Sequence, residues 1–149
     1  DLMLLGATGC GKTYIACALG MAAERQFLTV QYVRLPERLT ELAISRTTGT
    51  FIKTIDKYKK PALLILDEWL LYQLKESEAR DLLEIAEARY KKGSIIFCSQ
   101  FDVPVWRDKI GSPIIADAIC DRVVHDSYRI VIECEESMRK VFGVDKADA

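Results

Sequence analysis

The sequence predicts an α/β fold in which a parallel, five-stranded sheet carries helices on both faces. Short apolar runs alternate along the chain with amphipathic segments, which is the pattern of strands joined by crossover helices. The run ALLILD at 62–67 is apolar up to its last residue, as expected for a strand covered on both faces. Half of the 149 residues are hydrophobic, which is enough for one globular domain with its own core.

The predicted strands are short and rich in apolar and β-branched residues. LMLL forms the first, FLTVQYV is the second, and Pro61 opens the third. The fourth follows Gly93, and the last one ends the regular part of the chain. The five strands are predicted at 2–5, 27–33, 62–67, 94–99 and 128–132.

The predicted helices follow from capping signals and from apolar residues that recur every three or four positions. The first helix would place Ile15, Ala18, Leu19 and Ala22 on one face. A serine cap starts the helix at 77, and a Ser-Pro pair starts the one at 112. The helices are predicted at 12–26, 35–44, 77–92 and 112–124, with a basic, less regular piece from 45 to 60.

Charge and composition limit where the protein acts. The formal net charge of −1 provides no global basic field, so a nucleic-acid contact would need a local basic patch. The longest apolar run is too short to span a bilayer and no secretory signal opens the chain, so we expect a cytoplasmic protein with no membrane partner. Five scattered cysteines without a C-x-x-C pair predict buried, reduced thiols at Cys10, Cys17, Cys98, Cys120 and Cys134.

The stretch GATGCGKT at 6–13 matches the phosphate-binding pattern G-x-x-x-x-G-K-[ST], with a strand before it and a helix after it. Glycines let a loop wrap its backbone N–H groups around phosphate oxygens, and the helix N-terminus adds positive potential. Lys12 would contact the β- and γ-phosphates, and Thr13 would offer a hydroxyl to Mg²⁺. The predicted nucleotide-binding residues are Gly6, Ala7, Thr8, Gly9, Cys10, Gly11, Lys12 and Thr13.

The third strand ends in two carboxylates that suit ATP hydrolysis. Asp67 would hold Mg²⁺ together with Thr13, and Glu68 would orient and polarise the attacking water. A kinase needs no such glutamate, because its acceptor is a substrate hydroxyl. The alternative is that Glu68 simply starts a loop. The next strand ends in Gln100, whose amide would reach the γ-phosphate or the water, unless it only belongs to a turn.

Several motifs together resemble the AAA+ ATPase domain of IstB-type transposition helpers, which are relatives of the DnaC and DnaI helicase loaders. The similarity covers essentially the whole chain. The most specific segments are PIIADAICDRVVH and ESMRK, which accompany GATGCGKT, LLILDE and CSQ. The resemblance implies an AAA+ P-loop NTPase core without a C-terminal helical lid.

The resemblance also implies roles for three polar residues. Gln100 corresponds to the sensor that follows the fourth core strand. Arg122 corresponds to an arginine finger, which would reach the ATP of a neighbouring subunit in a homo-oligomer. From spacing alone, the preference of a helix C-terminus for a cation is the favoured explanation of Arg122, and only the family pattern favours the finger. Arg139 matches the arginine of the family's S-x-R ending, which would make it a nucleotide sensor, although a solvated basic residue explains it equally well.

The chain departs from the family pattern after Glu68. It continues as DEWLL, where many relatives have a glycine after the tryptophan, so the following loop is expected to take another path. The first strand begins without a lead-in, and we expect residues 1–149 to be one AAA+ domain that lacks the N-terminal region through which such helpers meet their transposase.

A local excess of basic residues lies between the second strand and Asp67. In the family an extra helical element of this region lines a DNA channel. Arg34 and Arg38 are four residues apart and would share one side of a helix. Such residues suit phosphate contacts, which give affinity without sequence choice. An ordinary solvated helix face is the alternative. The predicted DNA-binding residues are Arg34, Arg38, Arg46 and Lys53.

The sequence therefore predicts an ATP- and Mg²⁺-dependent ATPase with four catalytic residues, Lys12, Glu68, Gln100 and Arg122. It would assemble as a homo-oligomer on double-stranded DNA and assist a transposase. A helicase loader with the same engine and a replicative helicase as its client is the nearest alternative. A small-molecule P-loop kinase and an ATP-dependent scaffold that does not hydrolyse belong to other classes. The kinase would need an arginine-rich lid, which the sequence does not clearly contain.

Overall fold

A computed structural model describes residues 1–143 and contains the predicted five-stranded parallel sheet. The strand order is β2-β3-β4-β1-β5, so every connection crosses over from one strand to a parallel one. Such crossovers require helices on the faces of the sheet. The strands are β1 Leu2–Leu5, β2 Val30–Arg34, β3 Leu63–Asp67, β4 Ser94–Ser99 and β5 Tyr128–Val131.

Seven helices are found within the described residues, more than the sequence patterns predict. The piece from 45 to 60 is regular: it continues one helix and forms a second, with the left-handed Gly49 (φ 72°) ending the first. Asp102 caps a further helix by accepting a hydrogen bond from Val103 N. The helices are α1 Lys12–Arg25, α2 Leu35–Thr48, α3 Phe51–Lys59, α4 Glu76–Arg89, α5 Val103–Ile110, α6 Pro113–Val124 and α7 Met138–Phe142.

The first helix buries a different stripe from the predicted one. Ala16 and Gly20 face the sheet, whereas Ala18 and Leu19 are exposed. A Cβ on Gly20 would lie 3.0 Å from Ile65 Cδ1, so small residues let α1 pack closely on the strands. The strand after it also starts later than predicted, because Phe27 (φ 62°) belongs to the turn that follows α1.

Two hydrophobic cores lie on opposite faces of the sheet. Beneath α1, Leu4, Ile65 and Ile96 form the smaller core. The larger core packs the remaining long helices against the other face, where Trp69 meets Trp106 edge to face at 5.6 Å. The α/β class with helices on both faces is therefore confirmed. No helix among residues 1–143 combines the length and apolar character that a bilayer span requires.

Arg89 is a buried arginine that the sequence patterns did not single out. It lies at the end of α4 with 1% of its surface exposed, and burial lowers the pKa of its guanidinium to about 10. Its two terminal nitrogens donate to main-chain carbonyls at the entrance to β3 and β4, including Pro61 O at 2.8 Å and Ser94 O at 2.7 Å. Arg89 thereby fixes the starts of the two central strands, whose other ends carry the polar residues described next.

Candidate nucleotide-binding site

Parallel register brings the polar ends of the central strands to one edge of the sheet. Leu5 pairs with Ser99, and Arg34 pairs with Asp67. The residues that follow these strands, Gly6, Glu68 and Gln100, are therefore near neighbours although they are distant in sequence. This is the edge at which open α/β sheets bind ligands.

The glycine-rich loop has the conformation that its glycines permit. Gly9 (φ 85°) and Gly11 (φ 89°) are left-handed, which other residues adopt only with strain. Gly11 is the N-cap of α1 and provides no side-chain acceptor for the first N–H groups of the helix. Those groups have no partners within a helix, so a phosphate is a suitable acceptor at this position.

A cavity of about 640 Å³ opens beside the loop, a volume typical of small-molecule sites. It brings together most of the predicted nucleotide residues with both carboxylates. Three predicted residues, Gly6, Ala7 and Cys10, do not line it. Its walls are Thr8, Gly9, Gly11, Lys12, Thr13, Tyr14, Cys17, Asp67, Glu68, Trp69, Leu71, Cys98, Gln100, Met138 and Arg139.

The ammonium of Lys12 lies against the loop itself. Its Nζ donates to Gly6 O and Ala7 O, both at 2.7 Å. Partial burial lowers the pKa of Lys12, while the nearby Asp67 acts in the opposite direction. Gly6 and Ala7 thus contribute through the carbonyls that hold the lysine. A triphosphate in the cavity would offer this cation charged acceptors in their place.

Asp67 is the meeting point of three elements. Its Oδ2 accepts from Thr13 Oγ1 of α1 at 2.7 Å and from Tyr32 OH of β2 at 2.6 Å, while Oδ1 accepts from the N–H of Glu68 at 2.8 Å. The adjacent hydroxyl and carboxylate oxygens of Thr13 and Asp67 are the hard ligands that Mg²⁺ prefers. These residues therefore fit a magnesium ion.

Tyr32 is a site residue that no sequence motif revealed. Burial, and then its hydrogen bond to Asp67, raise the pKa of its phenol, so the group stays a donor. It lies 35 positions from Asp67, and only the pairing of β2 with β3 brings the two together.

Glu68 is in an ion pair in this structure. Arg34 Nη2 lies 2.8 Å from Glu68 Oε1, so Arg34, the N-cap of α2, contacts a cavity residue without lining the cavity itself. Glu68 has a left-handed backbone (φ 55°), and so does Leu70 (φ 53°), which stands next to the buried Trp69. The loop after Glu68 thus contains left-handed residues although it has no glycine, and the Leu70 side chain is buried.

Gln100 and Arg139 line the cavity, whereas Arg122, which was predicted to reach the ATP of a neighbouring subunit, does not line the cavity of its own subunit. Thr8 Oγ1 donates to Gln100 Oε1 at 2.9 Å, which joins the loop to the end of β4. Arg139 opens α7 beside the cavity and makes no ion pair with any residue from 1 to 143. Arg122 lies on α6, donates to Ala118 O at 2.9 Å and pairs with Glu87 at 3.1 Å.

The first two predicted DNA-binding arginines are paired with exposed or half-exposed carboxylates. Arg34 contacts Glu37 at 2.8 Å in addition to Glu68, and Arg38 contacts Glu41 at 3.0 Å. Exposed pairs of this kind are weak, so both guanidinium groups are able to exchange partners.

The other two predicted DNA-binding residues differ from each other. Arg46 pairs with the buried Asp81, whose pKa burial raises, and stacks over the Phe51 ring at 3.9 Å. Its guanidinium therefore joins α2 to α4 and to α3. Lys53 is exposed on α3 and has no ion-pair partner within the described part of the chain.

The prediction of five buried thiols is wrong for three of them. Cys10 and Cys134 form a disulfide, and Cys17 is exposed, whereas Cys98 and Cys120 are buried thiols. The sheet order explains the bond. Because β5 lies beside β1, the residues that follow each strand are neighbours, and the two Cα atoms are 5.6 Å apart, a usual separation for disulfides.

The strand order, the glycine cradle and the Thr13–Asp67 pair define a P-loop ATP-binding protein of the AAA+ class. The chain belongs to the IstB-like ATP binding protein family, whose model matches residues 1–143. The family resemblance seen in the sequence is thus confirmed.

Its relatives are proteins of insertion sequences. It is 42% identical over 140 residues to a putative insertion sequence ATP-binding protein of Sinorhizobium fredii, which covers 94% of this chain and 57% of that protein. It is 30% identical over 135 residues to the insertion sequence IS21 putative ATP-binding protein of Pseudomonas aeruginosa, covering 91% and 51%. The chain therefore spans little more than half the length of these relatives.

Solved structures share the fold. DnaI superposes with a TM-score of 0.80 at 25% identity, covering 89% of this chain and 73% of that one. AMPPCP-bound DnaA from Aquifex aeolicus superposes with a TM-score of 0.76 at 22% identity, covering 93% and 42%. The predicted AAA+ core is confirmed by both.

Replacing Tyr32 by Phe tests its hydrogen bond to Asp67. The ring stays in place, but Asp67 loses one of its donors, so we expect Mg²⁺ to improve ATP binding about tenfold less than in the wild type. ATP affinity without metal should not change. Calorimetric titration with and without Mg²⁺ measures both values.

Tyr90→Phe is the matched control. Tyr90 lies at the end of α4, before the start of β4, and therefore at the opposite edge of the sheet from Asp67. Equal magnesium dependence in the two variants would show that the phenol of Tyr32 does not support the site.

Proposed function

We propose that this protein is a Mg²⁺-dependent ATP hydrolase that assembles on double-stranded DNA and assists a transposase. The observation that carries the hydrolase part is the sequence Asp67-Glu68 at the carboxyl end of β3, on the wall of the cavity that Lys12 and Thr13 also line. A carboxylate for the metal and a second one for water are both present where the γ-phosphate would lie.

Each residue then has a distinct role in hydrolysis. Lys12 would exchange the carbonyls of its own loop for the β- and γ-phosphates. Thr13 and Asp67 would hold Mg²⁺, which neutralises phosphate charge when it is bound. Glu68 would orient the water and accept its proton, and for this its carboxylate has to leave Arg34. Gln100 would contact the γ-phosphate from the end of β4.

Assembly would complete the site. Arg122 is remote from the cavity of its own subunit, and its pair with the half-exposed Glu87 is of the weak kind. It is therefore available to a neighbouring subunit, where it would stabilise charge in the transition state. Arg139, without an ion pair in the described residues, would contact nucleotide within its own subunit.

The proposed DNA contact follows from the strength of the existing pairs. Exposed pairs contribute about 0–1 kcal/mol, so Arg38 would exchange Glu41 for a DNA phosphate at little cost. Separating Arg46 from the buried Asp81 would cost about 2–3 kcal/mol, less than for a fully buried pair because Arg46 is half exposed. Lys53 needs no exchange. The proposed surface thus consists of Lys53, Arg38 and Arg34, with Arg46 as a structural support.

The transposase is the proposed client because the matched relatives are ATP-binding proteins of insertion sequences. A replicative helicase is the second candidate, which the similarity to DnaI favours. The same ATPase assay with each client added separates the two.

Steady-state ATP hydrolysis over a range of protein concentrations tests the assembled ATPase. We expect turnover per subunit to rise with concentration and with duplex DNA. Arg122→Ala should lower this turnover by at least about 100-fold while it still binds ATP. Arg80→Ala, which alters an exposed arginine of α4, is the control and should behave as the wild type. A rate per subunit that is independent of concentration, with a normal Arg122→Ala, would contradict the arginine finger.

Lys53→Ala tests the DNA surface. We expect weaker duplex binding and an unchanged melting temperature. The slope of log affinity against log salt concentration should become shallower by about one. Arg46→Ala should instead lower the melting temperature, because it leaves Asp81 buried without its cation. Lys92→Ala, an exposed lysine beyond α4, is the control for nonspecific loss of charge. Equal DNA affinity for Lys53→Ala and Lys92→Ala would place the DNA elsewhere.

A further inference from the structure

The phosphate loop is tied to the residues that follow β5. We call residues 132–137 the β5–α7 segment, because they join that strand to the helix that carries Arg139. Cys10 of the loop is bonded to Cys134 of this segment across 124 residues of sequence. Met138 N also donates to Gly9 O at 2.8 Å, and a Cβ on Gly9 would collide with Ser137 Oγ.

The disulfide lies behind the nucleotide cavity and leaves it open. Gly9 and Gly11 line the cavity, whereas Cys10 between them is 6% exposed and does not. Arg139 and Met138 reach the cavity wall directly after the segment. The bond therefore fixes the position of Arg139 relative to the loop without occupying the space of a nucleotide.

Apart from the disulfide, the segment is held near its two ends, where Ile132 N donates to Leu5 O at 2.7 Å and Met138 N donates to Gly9 O. Most of its residues are exposed, Cys134 among them, so a reductant reaches the bond from solvent. A stretch with so few buried contacts opens locally at low cost once a crosslink is removed. Cys10, in contrast, lies in a loop that is anchored by β1 on one side and by α1 on the other.

We propose that Cys10 and Cys134 form a reversible thiol–disulfide switch that sets nucleotide affinity by fixing Arg139 beside the phosphate loop. The switch regulates the ATP site already described and rests on that site, but not on hydrolysis. The oxidised protein binds nucleotide more tightly, because the arginine is held in place before the ligand arrives.

The chemistry is thiol–disulfide exchange with a small disulfide such as oxidised glutathione. One cysteine thiolate attacks it, forms a mixed disulfide and releases one glutathione thiolate. The second cysteine thiolate then attacks the mixed disulfide and displaces the second glutathione thiolate. The protein thereby loses two protons and two electrons, and the oxidised glutathione becomes two thiols. The other buried thiols are poor competitors, since burial raises the pKa of Cys98 to about 12 and also raises that of Cys120.

ATP titration without added metal tests the switch, because it measures binding in the absence of turnover. The chain is first equilibrated with oxidised glutathione or with a phosphine reductant, and the disulfide is counted by mass after alkylation. We expect about tenfold weaker ATP binding after reduction, the size of one lost charge-assisted contact. Cys134→Ser should bind as the reduced wild type under both conditions, and Arg139→Ala should lose the difference between the two states.

Each other result overturns the switch. Equal ATP affinity in the oxidised and reduced wild type contradicts it, as does a Cys134→Ser variant that still responds to glutathione. Failure of oxidised glutathione to form the Cys10–Cys134 bond also contradicts it. Absence of ATP binding in both states would instead overturn the proposed function, and the switch with it.

Discussion

The nucleotide site depends on one carboxylate oxygen, Asp67 Oδ2, which accepts hydrogen bonds from Thr13 and Tyr32 at once. Through it the start of α1, the end of β2 and the end of β3 are held in one place. Parallel pairing of β2 with β3 sets Arg34 opposite Asp67, so the cation that pairs with Glu68 is positioned by the same register. A shift of that register by one residue would separate Tyr32 from Asp67 and Arg34 from Glu68 at once.

The structure keeps its catalytic charges neutralised by its own groups. Lys12 donates to loop carbonyls and Glu68 pairs with Arg34, and in the proposed function nucleotide and DNA would replace these partners. Because Arg34 also lies in the proposed DNA surface, a DNA phosphate would compete with Glu68 for the same guanidinium. In the proposed function, binding of DNA and release of the Glu68 carboxylate would thereby be linked through one side chain.

The parts of the site that were predictable are those whose chemistry is local in sequence. Gly9 and Gly11 need left-handed backbone, and Asp67 ends an apolar strand, so short motifs identify them. Tyr32 and Cys134 act through partners 35 and 124 positions away, which only the order and register of the strands reveal.

The fold shows the same division. Its class follows from alternating apolar runs. The sequence patterns did not identify the basic stretch from 45 to 60 as the end of α2 followed by α3. Their regularity comes from tertiary contacts such as those of Arg46 with Asp81 and Phe51, and from the left-handed Gly49 that separates them. Arg34 and Arg38 were predicted to share one side of a helix, but Arg34 ends β2 and pairs with Glu37 and with Glu68, and only Arg38 lies on α2, where it pairs with Glu41.

A single-turnover comparison of Glu68→Gln with the wild type shows whether Glu68 activates the attacking water. The amide keeps the size of the side chain but cannot accept the proton of water. We expect Mg²⁺–ATP binding within about threefold of the wild type and hydrolysis at least about 100-fold slower. Hydrolysis at the wild-type rate by Glu68→Gln would show instead that another group activates the water and that Glu68 is not the base.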